Sequence, residues 1–173
     1  TLFKGEADAA LMNEICFDAF GLGNHEFNEG DKGVAKFIDF LKSEKCSTSV
    51  LAANIKPEVG VSPLTPNSET DYIQPYSIIE KGGMKVGIIG IDIVRKTIMS
   101  SSPDETTKFL DEAETSQKIV NELKKSGVKH IILLTHYGYE NELELASTIE
   151  GVDVIIGGDS HTLLGDFDKL GLN

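Results

Sequence analysis

The chain predicts a layered α/β fold, with central β-sheets flanked by helices. Three observations carry that expectation. Short apolar runs such as Ile131-Ile132-Leu133-Leu134 and Val154-Ile155-Ile156 have the uninterrupted character of strands covered on both faces. Segments with apolar residues at helical spacing alternate with them along the chain. Polar loops rich in Gly, Asn, Asp and His follow three of the apolar segments, and the carboxyl ends of strands in open α/β sheets are where ligand crevices form.

The 173 residues suffice for a single domain with a sizeable core. Hydrophobic residues make up 40% and charged residues 25%, a balance that excludes a disordered chain. No apolar run approaches the roughly 20 residues needed to cross a bilayer, so no membrane partner is expected. Asp and Glu number 28 against 16 Lys and Arg, a net charge of −12. That excludes a nonspecific nucleic-acid surface, which draws on clustered positive charge. It suits a solvated surface and also a divalent-cation enzyme. Cys16 and Cys46 are compatible with one disulfide and equally with buried or free thiols, and neither belongs to a metal-type spacing.

Residues 7–16 read as a helix, with Leu11, Ile15 and Ala19 on an inward side and Met12 and Cys16 beside them. A short strand over 17–20 then leads into Gly21-Leu22-Gly23-Asn24-His25-Glu26-Phe27-Asn28-Glu29-Gly30. An amide, an imidazole and a carboxylate stand there in consecutive positions, between glycines that let the backbone turn or approach a ligand closely. The local residues leave two readings, a catalytic or metal site and a turn with a structural His. Asp31 is expected to cap a second helix, whose Val34, Phe37, Ile38 and Leu41 fall at i, i+3, i+4, i+7. A strand over 49–52 runs into Ala53-Asn54-Ile55. Residues 56–74, with Pro57, Pro63 and Pro66 and with Pro75 just beyond, read as a long mobile excursion.

Residues 76–80 and 84–91 read as hairpin strands joined through Lys81-Gly82-Gly83. Gly87 and Gly90 lack the three-glycine spacing of a nucleotide fingerprint and are taken as room for packing. A Ser-rich, acidic connection over 100–107 precedes a helix starting near Thr107 or Phe109. Ser116, Ile119, Val120 and Leu123 share one of its faces, and Gly127 ends it. His130, read as structural or exposed, opens the central strand. A helix over 142–149, with Leu145 and Ile149 inward, separates that strand from Val154–Ile156. The tail over 163–173 shows no ending signal.

Asn oxygen, neutral His nitrogen and Asp carboxylate suit a borderline or hard divalent ion, and no thiolate cluster competes. Asn24-His25-Glu26-Phe27, Leu51-Ala52-Ala53-Asn54-Ile55, Thr135-His136 and Gly157-Gly158-Asp159-Ser160-His161-Thr162 occur in an order that carries further information. The set resembles the N-terminal metallophosphatase domain of the 5'-nucleotidase family, within the calcineurin-like phosphoesterases, over nearly the whole chain. The resemblance implies a metallophosphatase fold incomplete at the N-terminus, with residues 1–173 forming a partial domain. It implies metal-dependent hydrolysis of nucleotide phosphoesters, nucleoside 5'-monophosphates first, with two divalent ions of Zn, Mn or Mg. The alternative is a noncatalytic metal- or nucleotide-binding module derived from the same fold.

By the same resemblance, Asn24 and His136 ligate the second metal and His161 the first. Asp159 joins the second metal at a position where the family usually has His. His25 is the catalytic acid at the leaving group, and Asn28, where many relatives have Asp, orients it without the charge that would stabilise an imidazolium. Glu26 is expected to support the loop, not to bind metal. The family's Asp-x-His and Gly-Asp elements, which would fall just before Thr1, and its nucleotide-specificity domain lie outside the sequence. The resemblance therefore implies a missing N-terminal segment and a C-terminal domain as partners. It further implies self-association of the isolated chain and a periplasmic or extracellular location.

Overall fold

The computed structural model describes residues 3–165 and Lys169, so the last part of the tail lies outside the described residues. Helix α1 (Glu6–Ile15) and strand β1 (Ala19–Gly21) lead into a 3₁₀ helix (Asn24–Glu29), which runs directly into helix α2 (Gly30–Leu41). Strands β2 (Ser49–Leu51) and β3 (Ile55–Pro57) follow. Next come the hairpin β4 (Tyr76–Lys81) and β5 (Met84–Asp92), helix α3 (Val94–Ser100) and strand β6 (Thr107–Phe109). Helix α4 (Glu112–Lys125), strand β7 (His130–His136), helix α5 (Tyr139–Thr148) and strand β8 (Val154–Ile156) complete the series.

The stripe expected on α2 is buried as its spacing requires: Val34, Phe37, Ile38 and Leu41 pack with Leu22, Phe27, Val50 and Ile55 in one core. Fully burying each such side chain stabilises the fold by about 1.5–3 kcal/mol. Helix α1 contradicts its expected face. Leu11 and Ile15 are 68% and 64% exposed, while Ala9 is buried and Met12 packs against the core. The inward face of α1 includes Asn13, whose Nδ2 donates to the Phe40 carbonyl at 2.9 Å. A polar residue thus interrupts the buried stripe and leaves the more apolar stripe to solvent.

Asp31 is not the cap of α2, since Glu29 holds that position and Asp31 lies in the first turn, wholly buried. Its carboxylate accepts from Ser62 Oγ at 2.6 Å, from the Asp104 amide at 3.1 Å and from Thr107 Oγ1. One side chain therefore pins two distant connections to the helix. Leu64 and Ile73 are buried in the same core, so residues 56–74 form an anchored connection and not a mobile excursion. Cys16 and Cys46 form a disulfide with a Cα–Cα distance of 5.2 Å, tying the end of α1 to the connection between α2 and β2.

The larger sheet has the order β4-β5-β7-β8: β4 and β5 form the antiparallel hairpin, and β5, β7 and β8 run parallel. The hairpin turns at Gly82 and Gly83, both in the left-handed region where glycine carries no steric penalty. Ile89, Ile91, Ile131 and Leu133 face Ile119, Val120 and Leu123 of α4 in a second core. The opposite face of β5 receives the parallel β1-β2 pair. There a Cβ on Gly90 would lie 2.4 Å from the Leu51 backbone, and the Ala53 amide donates to the Gly90 carbonyl at 2.8 Å. Gly87 makes room on the other face, where a Cβ would meet Leu123 at 2.8 Å. Helices thus flank stacked sheets, as expected. The helix expected from Thr107 or Phe109 starts instead at Glu112, because residues 107–109 pair with β3 as strand β6 and Asp111 caps the helix.

Candidate metal centre

Three loops meet at the carboxyl ends of β1, β7 and β8. His136 ends β7 with its imidazole between two glycines: a Cβ on Gly23 would lie 2.7 Å from His136 Cγ, and one on Gly158 would lie 3.2 Å from Nδ1. A side chain at 23 would force the ring to shift, and one at 158 would crowd it. Asn24 opens the 3₁₀ helix and is 1% exposed; its Oδ1 lies 3.1 Å from His136 Nε2. Asp159 Oδ1 approaches the same nitrogen at 3.4 Å. Burial holds the His136 pKa below the ordinary value of 6.5, helped by Lys96 and His25 and opposed by Asp159. The imidazole is therefore neutral at pH 7, the form that binds metal.

Ligands placed about 2.0–2.2 Å from a divalent ion lie roughly 3 Å from one another. The spacings of Asn24 Oδ1, His136 Nε2 and Asp159 Oδ1 fit one face of such a coordination shell, and their chemistry fits a hard or borderline ion. Among the described residues, no group of three or more His, Cys, Asp or Glu side chains gathers to hold a metal ion, and the candidate trio includes the Asn24 amide. His161 does not join the trio. It is exposed, and it lines a cleft of about 680 Å³ that Asp159, Glu142 and Tyr139 also line. Asp159 and His161 both hold left-handed backbone, φ 73° and 51°. For non-glycine residues that conformation costs on the order of 1–3 kcal/mol each and concentrates at functional sites.

His25 is exposed at the mouth of a second cleft of about 660 Å³, lined also by Asn28, Lys32 and Lys36. The Asn28 amide faces its Nδ1, with Nδ2 at 3.1 Å and Oδ1 at 3.3 Å. Ser101 Oγ donates to the same Oδ1 at 3.2 Å, which holds the amide in place. The Asn28 side chain is able to meet either protonation state of Nδ1. Glu26 turns inward, and its Oε2 accepts from the Gly23 amide at 2.8 Å. Burial raises its pKa, against the pull of that hydrogen bond.

Sequence reasoning missed α3, and with it several residues that hold the site. Ser100 Oγ accepts from Asn24 Nδ2 at 3.4 Å, Ser101 positions Asn28, and Lys96 Nζ contacts Asp159 Oδ1. No apolar stripe announced this helix, because Ile98 and Met99 are exposed and its buried residue is Thr97. Glu142 was also missed. Its Oε1 accepts from Thr135 Oγ1 at 2.9 Å and from the Gly158 amide at 3.1 Å, joining the β7 end to the Asp159 loop. The acidic first turns of α5 hid it among solvent-facing carboxylates.

Asp92 stands opposite His136 in the sheet and is fully buried. Burial pushes its carboxyl up to about 8, outweighing the hydrogen bonds from Thr97 and the backbone. The Thr97 hydroxyl lies against both Asp92 Oδ2 and the Ile93 carbonyl. A hydroxyl has one proton and a carbonyl has none to give, so a protonated Asp92 completes both bonds. Asn54 clamps the same corner, donating to the Asp92 carbonyl at 2.8 Å and accepting from its amide at 3.1 Å.

This architecture matches known proteins. A solved calcineurin-like phosphoesterase from Bacillus subtilis superposes with a TM-score of 0.70 at 28% identity, over 95% of this chain and 51% of that one. The structure of a Haemophilus influenzae NAD nucleotidase superposes with a TM-score of 0.86 at 44% identity, over 99% of this chain and 28% of that one. The fold is therefore that of the calcineurin-like metallophosphoesterases. A curated relative from Treponema pallidum, described as a probable 5'-nucleotidase, is 42% identical over 99% of this chain. Within that class the chain belongs to the 5'-nucleotidase family. It spans 28% of the length of the Treponema relative, and no family model matches it.

Proposed function

We propose that, in the intact protein, this chain supplies part of a metal-dependent site that hydrolyses nucleotide phosphoesters, nucleoside 5'-monophosphates in the first place. The observation that carries this reading is the convergence of Asn24 Oδ1, His136 Nε2 and Asp159 Oδ1 beside an uncoordinated, exposed His25. Asn24, His136 and Asp159 hold one divalent ion, and His161 serves a second; Zn, Mn and Mg all suit these donors. Such ions, when bound, neutralise phosphoryl oxygens and lower the pKa of water. His25 protonates the leaving oxygen from Nε2, while Asn28 fixes the ring through Nδ1. A Cys16–Cys46 disulfide supports the periplasmic or extracellular location expected from the sequence, since such bonds persist in oxidising compartments.

The test separates holding metal from moving a proton. In the intact protein, His25→Ala keeps its metal content and loses about 10²- to 10⁴-fold in turnover of a nucleoside monophosphate. The loss shrinks with a nitrophenyl phosphate, whose leaving group needs no proton. Metal content falling in parallel with turnover, with no dependence on the leaving group, makes His25 part of the metal scaffold instead. An intact protein that binds metal and nucleotide without turnover is the noncatalytic module.

A further inference from the structure

Helix α3 brings a cation into the site. Lys96 Nζ contacts Asp159 Oδ1, the same oxygen that faces His136 Nε2. This differs from an ordinary surface ion pair, because the Asp159 side chain is 10% exposed while that of Lys96 is 43% exposed. The ammonium is anchored on a shielded partner and keeps an open side. Its helix is also tethered. Thr97 is buried against Asp92, Ser100 Oγ donates to the Lys96 carbonyl at 2.6 Å and accepts from Asn24, and Ser101 donates to Asn28. The positive charge is therefore positioned relative to both the donor trio and His25.

Charge decides what such a group does. Asn24 contributes none, an imidazole that binds metal is neutral, and the charges of the paired Asp159 and Lys96 cancel. A divalent ion on these donors then keeps its full charge for an anionic phosphoryl oxygen, and the ammonium stands beside it. We propose that Lys96 is a phosphate-binding residue of this site: its ammonium shares Asp159 with the ligand set and grips a non-bridging oxygen of the substrate's phosphoryl group. The inference rests on the phosphoesterase reading above. It makes Lys96 act with opposite sign on two ligands, repelling the metal ion and attracting the phosphate.

The experiment measures both on the intact protein, with Lys96→Met and Lys96→Gln beside the wild type. Mn²⁺ binding is followed by titration calorimetry, and inorganic phosphate binding by competition at saturating Mn²⁺. Both variants bind Mn²⁺ about three- to tenfold more tightly and phosphate about tenfold or more weakly, and Lys96→Arg restores most of the phosphate affinity. If Mn²⁺ and phosphate affinities fall together, or neither changes, Lys96 is only a structural tie for Asp159 and the proposal is overturned. A wild-type protein that binds none of Mn²⁺, Zn²⁺ and Mg²⁺ overturns the phosphoesterase reading as well, which keeps the two failures distinguishable.

Discussion

The corner that carries Asn24 and the corner that carries Asp159 meet at His136 but stand on different foundations. Below Asn24, the 3₁₀ helix is seated on Phe27, which is 0% exposed and meets Phe109 edge to face at 5.9 Å. Buried Asp31 and Asp92 tie the surrounding segments with hydrogen bonds. The Asp159 corner has little of this. Among the described residues β8 pairs on one side only, Val154 and Ile156 are 48% and 50% exposed, and the loop beyond is held by Glu142 and Lys96. One half of the site is shaped by burial, the other by a few polar links over strained backbone. The difference teaches that stability and ligand geometry are separable here. The first corner answers to changes in packing, the second to changes in charge.

Breaking the first corner has the largest expected effect. Phe27→Ala empties a fully buried position and costs about 3–5 kcal/mol, read from the urea midpoint. A cost comparable to that of a surface substitution would erase the contrast between the corners. The pH dependence of stability is the next lever. The folded pKa of Asp92 is raised from 3.8 to about 8, so the folded state holds a proton that the unfolded state releases near pH 4. Its contribution is complete below about pH 4, is lost as pH rises toward 8, and is constant above that. Asp92→Asn, which mimics the neutral acid, flattens this decline in denaturation measured across the same window. An unchanged slope assigns the decline to other groups.

The smallest effect on stability belongs to the second corner and sharpens the comparison. Glu142→Ala removes two hydrogen bonds at a partly exposed position and costs about 1–2 kcal/mol. Metal affinity nevertheless falls about 10- to 100-fold, the range seen when groups that orient ligands are lost. Equal losses in Phe27→Ala and Glu142→Ala on both measurements would mean that the corners are one cooperative unit.

The same contrast explains what was legible in the sequence. Segments that bury a stripe announced themselves: α2 by Val34, Phe37, Ile38 and Leu41, α4 by Ile119, Val120 and Leu123, and β7 by its apolar run. Resemblance to a known family pointed to Asn24, His136, Asp159 and His161; the first three lie close together, and His161 stands apart and exposed. Periodicity failed where polarity decided the packing. On α1 the inward Asn13 displaced the more apolar Leu11 and Ile15, and at Asp31 a carboxylate that resembled a cap was sunk into the core. Lys96, Ser101 and Glu142 were hidden for a related reason. Their roles are long-range polar contacts, and local spacing records none of these.

The disulfide has a consequence for the chain as a covalent object. Cys16 and Cys46 are 30 residues apart, and Asn24, His25, Asn28 and all of α2 lie on the loop they close. A protease that cuts once between them does not release a fragment. The two pieces migrate as one species until the sulfur bridge is reduced. A nicked molecule that survives with its histidine loop still tethered is a property of topology, written into two cysteines outside the proposed site.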